Sequence, residues 1–268
     1  MLLRSFILSA LAAGHLGAAE PAWEKQLTPA TQGPFSSTPA CTLDFQVSWR
    51  GLIDAGVLRM EWAPREGKKP DVYVVRSSAT STGLAALLFP YQSSFRSELD
   101  PSTLKPRSFR ATEVDEKETK TSTTHFLNDR VEYEESARSL KDGSVSEEKI
   151  AFQFTPVFDI FSAMLHVRSQ KLEDGDQIFI VIQPFDTAHL LHVTVQAHEI
   201  HQDRKTIRLS VGMDKIDRKS LELKPYKKLK KEATLWLSDD AERIPVEMRA
   251  KVFIGDVRAT LTGNQKNL

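Results

Sequence analysis

LDFQVSW, residues 43–49, alternates apolar and polar side chains without a break. Leu43, Phe45, Val47 and Trp49 fall on one face, and the polar residues between them fall on the other. A period of two residues is typical of a β-strand that has one buried face. This stretch therefore predicts a half-buried strand, and the same alternation returns along most of the chain.

The repeated alternation predicts a meander of short strands joined by turns. Leu58, Met60 and Trp62 repeat the pattern after a turn expected at residues 54–56, and the Asp-Gly pair at 142–143 is a strong hairpin signal. Further strands are predicted near residues 72–74, 107–114, 119–126, 130–138, 145–152, 177–183, 188–200, 204–212, 232–238, 245–254 and 256–262.

Two helices are expected between these strands. The first is short, with Thr82 as its cap and Pro90 as its end. The second is expected to begin at Thr155-Pro156 and to run to about Arg168. It is apolar on nearly all sides, so most of its surface must be buried. We expect it to pack against the concave face of a curved sheet.

These elements predict a mainly β protein. We expect a strongly curved antiparallel sheet, either a β-roll or an incompletely closed barrel, with one or two short packed helices. A flat sandwich is the alternative architecture. The expected segments are a signal peptide at 1–19, a flexible leader at 20–40, a single β-rich domain at 41–264 and a C-terminal tail at 265–268.

The first residues have the layout of a cleavable secretory signal. Arg4 gives a basic start, residues 5–13 are apolar but too short to span a bilayer, and Gly17 and Ala19 precede the expected cleavage point. No Cys stands at that point, which argues against a lipoprotein anchor. We therefore expect a periplasmic location, and no other apolar run is long enough to predict a transmembrane anchor.

Charge and cysteine content exclude several other classes of protein. The chain has 36 basic and 36 acidic residues, and this balance does not predict a surface for nucleic acid. Cys41 is the single cysteine, so no internal disulfide can form. We expect Cys41 to be a free thiol near the domain edge, with an intermolecular disulfide as the alternative.

Three segments resemble motifs of the bacterial family called domain of unknown function 3108 (DUF3108). They are WRGLIDAG at 49–56, DIFSAMLHVR at 159–168, and WLSDD with RIPV at 236–246, in an order and spacing that agree over roughly residues 43–263. The resemblance implies an envelope location and a β-rich fold, and it implies no function because the family has none assigned. His166 departs from the family, which more often has an aromatic residue there.

Two groups of polar residues contain the residue types of a catalytic site. Asp159, Ser162 and His166 lie on one helix stripe, but a mid-helix Ser lacks the exposed elbow and oxyanion hole that a nucleophile needs. Asp239 and Asp240 are adjacent, so their side chains are expected to point apart within a hairpin turn. We expect no catalytic residue, and we expect the protein not to be an enzyme.

His189, His192, His198 and His201 lie within thirteen positions. In a regular strand His192 and His198 share a face and the other two point away, and no helical His-Glu-x-x-His motif is present. We expect imidazoles that face solvent, with no metal site and no cofactor.

A cluster of lysines surrounds Tyr226. We expect these lysines to lie in a solvated loop, and the alternative is that they bind anionic lipid headgroups or lipopolysaccharide phosphates. Its members are Lys224, Lys227, Lys228, Lys230 and Lys231.

The large aromatic residues suggest a binding surface. Trp49, Trp62 and Trp236 are all predicted in strands, and together with Arg168 they are the candidate ligand-binding residues. Aromatic side chains on an open concave sheet can hold an acyl chain. We expect a non-enzymatic periplasmic protein that binds a hydrophobic envelope component such as a lipid. The alternative is a protein-interaction or scaffolding module of an envelope assembly, whose partner is an envelope protein.

Overall fold

The computed structural model describes residues 21–36, 40–64, 72–227, 231–252 and 255–266. The predicted signal peptide at 1–19 and two lysines of the basic cluster, Lys228 and Lys230, lie outside the described residues. The strands are β1 (Cys41–Trp49), β2 (Ile53–Pro64), β3 (Tyr73–Ser81), β4 (Gln92–Leu99), β5 (Pro106–Val114), β6 (Glu118–Phe126), β7 (Val131–Ser139), β8 (Val145–Phe152), β9 (Gln177–Ile182), β10 (His189–His201), β11 (Arg204–Ile216), β12 (Leu223–Pro225), β13 (Ala233–Ser238), β14 (Pro245–Val252) and β15 (Gly255–Lys266). The helices are α1 (Gly83–Leu88) and α2 (Ile160–Ser169), and a 3-10 turn spans Glu24–Gln26.

All fifteen strands belong to one antiparallel sheet that does not close. The order is β8-β7-β6-β5-β4-β3-β2-β1-β15-β14-β13-β11-β10-β9, with β12 added beside β11. Helix α2 contacts both β9, at one edge, and β4, far along the strand order, so the sheet curves around the helix. The predicted class, a strongly curved antiparallel sheet with two short packed helices, is confirmed. Neither helix in the described ranges is long and apolar enough to cross a membrane.

Helix α2 separates two hydrophobic clusters, which explains why it is apolar on nearly all sides. Phe161 and Leu165 pack into the cluster formed with β1 to β5 and β15. Ala163 and Val167 pack into the cluster formed with β9, β10 and β11. Leu165 is fully buried, and burial of a side chain of this size stabilises the fold by about 2 kcal/mol.

The edge strand β9 is covered by two segments outside the sheet. The Thr28 backbone amide donates to the carbonyl of Phe179, and the Phe179 amide donates to Oγ1 of Thr28 at 3.0 Å. Phe158 forms a short parallel bridge with Ile182 on the same edge. Residues 21–36, within the predicted leader, thus bond directly to the domain and satisfy groups that an open edge would leave unpaired.

Three local predictions differ from the structure, two of them wholly and one in part. The first turn lies at Arg50 and Gly51, both with positive φ, whereas residues 54–56 are already in β2. Gly56 is needed for close packing instead, because a Cβ there would lie 2.7 Å from the carbonyl oxygen of Thr80. Thr82 precedes α1 as predicted, but its side chain makes no capping hydrogen bond.

The start of α2 is the third difference. The helix begins at Ile160 with Asp159 as its cap, and not at Thr155-Pro156. Asp159 accepts hydrogen bonds from the amides of Phe161 and Ser162, and Ser162 Oγ accepts one from the Asp159 amide, which forms a capping box. Residues before the cap cannot join the helix, because Phe158 is bonded to β9.

Candidate functional site

The central cavity has a volume of about 300 Å³ and lies between helix α2 and the concave face of the sheet. Eleven of its twelve lining residues are apolar, and Ser77 is the exception. Met60, Met164 and Met248 are among them. Methionine side chains are flexible and polarisable, so they adapt to apolar ligands of variable shape. The cavity can therefore hold an apolar group, and it offers no charged residue to a polar one.

The end cavity lies farther along the same concave face and also has a volume of about 300 Å³. Its residues follow those of the central cavity by two positions on the same strands, as Val47 follows Phe45 on β1 and Val257 precedes Ala259 on β15. Trp49 lies in its wall, with its ring centroid 6.1 Å from that of Phe89. Since residues two apart share a face, the two cavities form successive parts of one apolar surface.

Two of the three candidate tryptophans lie on this concave side. Trp49 lines the end cavity. Trp62 is 1% exposed and packs in the core cluster with Cys41 and Tyr73, so it supports the wall without lining either cavity. Cys41 is buried at the start of β1.

Trp236 lies on the opposite, convex face. Its ring stacks on His201 at 4.2 Å between centroids, Arg249 lies 4.8 Å from it, and its Nε1 donates to Glu199 at 2.8 Å. Beside it the carboxylate of Glu247 is nearly fully buried. Burial alone raises the pKa of Glu247, but hydrogen bonds from Arg249 and His201 outweigh that effect and the pKa is lowered. The structure does not bring Trp236 to the cavities.

Arg168 belongs to a clamp between α2 and the β13–β14 hairpin. Its Nε donates to the carbonyl oxygen of Glu242 at 3.1 Å, and its other contacts include the carbonyl of Arg243. In return, the Arg243 guanidinium donates to the carbonyls of Arg168, Gln170 and, at 2.7 Å, Lys171. The last carbonyls of α2 are thus bonded by Arg243, from outside the helix. Burial lowers the pKa of both arginines.

The polar stripe of α2 is fully buried and is used for structure. Asp159 also accepts a hydrogen bond from Ser97 Oγ at 2.6 Å. Burial raises the pKa of Asp159, and the hydrogen bonds that it accepts only partly offset this effect. Ser169 Oγ donates to the carbonyl of His166 and accepts from the Gly33 amide. The His166 ring is tilted against the Phe158 ring with 5.0 Å between centroids, and neither of its nitrogens has a hydrogen-bond partner among the described residues. Burial lowers the pKa of His166 to about 4.

The histidines of β10 pair with different carboxylates. A bulge after Val195 reverses the alternation, so His192 and His198 lie on opposite faces and the predicted shared face is wrong. His198 Nδ1 lies 2.7 Å from Asp174, and His201 Nε2 lies 2.8 Å from Glu247. In the described ranges, no group of three or more His, Cys, Asp or Glu side chains is arranged to hold a metal ion.

The other two charged candidates also have local roles. Asp240 accepts hydrogen bonds from Ser238 Oγ and from the amides of Glu242 and Arg243, so it shapes the predicted hairpin turn. In the basic cluster, Lys224 pairs with Asp217 at 2.6 Å. The hydrogen bond between them raises the pKa of Lys224 and lowers the pKa of Asp217.

Sequence reasoning missed the residues that line the central cavity on the helix side. Ile160 and Met164 lie in its wall. In the sequence they are part of an all-round apolar helix, and nothing there separates a residue that lines a cavity from one that fills the core. The methionine content was the available signal, since three of the chain's five methionines meet at this cavity.

Comparisons with known proteins agree with this architecture. The family model described as "Protein of unknown function (DUF3108)" matches residues 44–262. The chain is similar to a solved structure described as a beta-barrel-like protein of domain of unknown function DUF1849 from Brucella abortus. The TM-score is 0.55 at 10% identity, covering 85% of this chain and 98% of that one, and this likeness shows the fold alone. No curated protein matches the chain.

Proposed function

The chain belongs to the DUF3108 family, which assigns no activity, and from that premise we propose that it is a non-enzymatic periplasmic protein that binds an acyl chain of an envelope lipid. The observation that carries this proposal is the central cavity, whose wall is apolar except for Ser77. Transfer of apolar surface from water into such a cavity is favourable by about 25 cal/mol per Å².

The shape of the concave face supports a flexible, elongated ligand. The central and end cavities follow one another along β1, β2, β3 and β15, so a chain lying along them stays on apolar surface. Neither wall contains a charged side chain. A charged headgroup therefore belongs outside the cavities, in contact with water or with a partner.

A periplasmic, non-enzymatic role is supported by two further observations. The pattern of residues 1–19 is that of an exported chain. Two of the polar residues that could act in catalysis have structural partners instead, as Ser162 bonds within the capping box and Asp240 within a turn. Ser162 would be a poor nucleophile in this setting, because its hydroxyl donates to the carbonyl of Asp159.

Filling the central cavity is expected to weaken ligand binding. Ala259→Phe places a ring in the cavity, and we expect binding of a dansyl-labelled fatty acid to fall at least about tenfold, because the ring takes the space of several buried methylene groups. Fluorescence titration of the mature protein measures the effect. Trp236→Phe is the matched control, since it changes an aromatic residue on the opposite face.

A second cavity-filling variant tests the same prediction independently, in case Ala259→Phe fails to fold. Ser77→Leu adds volume on β3 at the same cavity and removes its single polar lining group. Thermal unfolding of both variants establishes that they are folded. Unchanged affinity in two folded variants would refute binding at this cavity.

A protein-interaction or scaffolding role is the second candidate function. It is favoured by the exposed side chains of Leu84, Leu87 and Leu88 on helix α1, because such a group is unusual on the surface of a monomeric protein. The fatty-acid titration separates the two roles. Absence of binding by the unmodified protein would leave the scaffolding role as the better one.

A further inference from the structure

The central and end cavities meet on strand β3. Ser77, Ala79 and Ser81 lie on one face of this strand, since side chains two positions apart point to the same side. Ser77 lines the central cavity, whereas Ala79 and Ser81 line the end cavity. All three side chains are small, so the concave face stays open from one cavity to the next.

Ala79 lies at the boundary between the two cavities. On β2 it pairs with Leu58, which lines the central cavity together with its own partner, Phe45. On β4 it pairs with Ser93. The Cβ atoms of such directly paired residues are about 5 Å apart, so a larger side chain at position 79 reaches the space beside Leu58. Ala79 has the smallest side chain of this cross-strand row and therefore keeps the boundary open.

The groove formed by the two cavities ends beyond the central cavity. Met60 and Ser77 belong to the last row of strand residues that lines that cavity. The members of the next row are 3% exposed or less, and they are Cys41, Trp62, Val75 and Ser97. An apolar chain in the central cavity cannot extend in this direction without displacing the core.

The groove has two ways out to solvent. In the wall of the end cavity, Phe89 and Tyr91 are 53% and 38% exposed. In the wall of the central cavity, Met248 is 45% exposed. The path through the end cavity keeps a chain on apolar wall, because Val47 and Trp49 continue that wall along β1. Burial of a longer chain along this path is favoured by about 25 cal/mol per Å².

We propose that one acyl chain occupies both cavities in succession, and that Ala79 determines how long a chain the protein accepts. This assignment rests on the proposed function, since it concerns the ligand of the same site. The methyl end lies in the central cavity against the buried row, and the chain crosses Ala79 into the end cavity. Chains that reach past Ala79 bury further methylene groups, so the protein selects long acyl chains over short ones.

Isothermal titration calorimetry of the mature protein with decanoate and with palmitate tests the role of Ala79. We expect Ala79→Phe to weaken palmitate binding at least about tenfold, because exclusion of two methylene groups from apolar surface already has an effect of this size. Decanoate binding is expected to change by less than about threefold, which is below the effect of one methylene group. The shorter chain fits within the central cavity, and its carboxylate reaches water beside Met248.

Ser78→Phe is the matched control for this variant. Ser78 is the preceding residue of β3, is exposed and points to the opposite face, so both affinities should equal those of the unmodified protein. Ala79→Leu adds a smaller side chain at the boundary, in case Ala79→Phe fails to fold, and it should also weaken palmitate more than decanoate. Thermal unfolding establishes that each variant is folded.

The two affinities separate failure of this assignment from failure of the proposed function. A loss confined to palmitate supports the role of Ala79. An equal loss for both fatty acids in a folded variant overturns that role and leaves the proposed function standing. Unchanged palmitate binding overturns it as well, because a long chain then leaves the central cavity past Met248. An unmodified protein that binds neither fatty acid refutes the proposed function, and the role of Ala79 with it.

Discussion

Replacement of Arg168 by Met is expected to lower the free energy of unfolding by about 3 kcal/mol or more. Met keeps much of the side-chain volume but donates no hydrogen bond, so the carbonyls of Glu242 and Arg243 lose their hydrogen bonds from Arg168. Arg168 is fully buried, so its guanidinium is out of contact with bulk water in the folded protein. Urea unfolding followed by circular dichroism measures the change.

The two arginines of the clamp are expected to act together. Arg243→Met should also destabilise the protein, and the double variant should lose less than the sum of the two, because each guanidinium bonds the segment that carries the other. Arg76→Met is the control and should change stability by less than about 0.5 kcal/mol, as Arg76 is exposed. A midpoint for Arg168→Met equal to that of the unmodified protein would contradict a structural role for the clamp.

Acid is expected to destabilise the protein through His166. In an unfolded chain this group is protonated near the ordinary histidine pKa of 6.5, whereas burial lowers the pKa in the folded state to about 4. Between these values the unfolded state binds more protons. The contribution of His166 to the free energy of unfolding is therefore fully present above pH 6.5 and decreases as the pH falls. Over the whole window the loss amounts to about 3 kcal/mol from this side chain.

His166→Phe is expected to flatten the dependence of stability on pH between about 6.5 and 4. A phenyl ring can take the place of the imidazole beside Phe158, and it has no unpaired nitrogen to bury. Urea unfolding at several pH values measures this. His125→Gln, at an exposed position, should keep the slope of the unmodified protein. Glu247, with its lowered pKa, contributes only below its ordinary value of 4.5, and an unchanged slope in His166→Phe would refute the assignment.

Most of the sheet could be predicted because apolar and polar residues alternate along most strands, and β4 shows why a strand could be missed. The inward positions of Gln92–Leu99 include Ser93 and Ser97, which are buried although they are polar. Ser97 is there because it donates a hydrogen bond to Asp159 at the start of α2. A tertiary contact of this kind removes the apolar period from which strands are recognised.

The candidate site could be predicted only in part, because alternation separates the two faces of a strand without telling which one is concave. Leu235 and Trp236 are adjacent on β13 and therefore face opposite sides of the sheet, and it is Leu235 that reaches the central cavity. Trp49 was identified because Phe45, Val47 and Trp49 alternate with polar residues in the sequence, although the pairing of β1 with β2 shifts register between Val47 and Ser48. The position of Ala85 in the wall of the end cavity depends on which face of α1 meets β2, and that contact is not encoded in local sequence.

The most direct test of acyl-chain binding is mass spectrometry of an organic extract of the mature protein, purified gently from the periplasm. We expect a lipid in stoichiometric amount from the unmodified protein and from Trp236→Phe, and a strongly reduced amount from Ala259→Phe. An extract of the unmodified protein that contains no lipid, from a preparation that also fails to bind the labelled fatty acid, would contradict the proposed function.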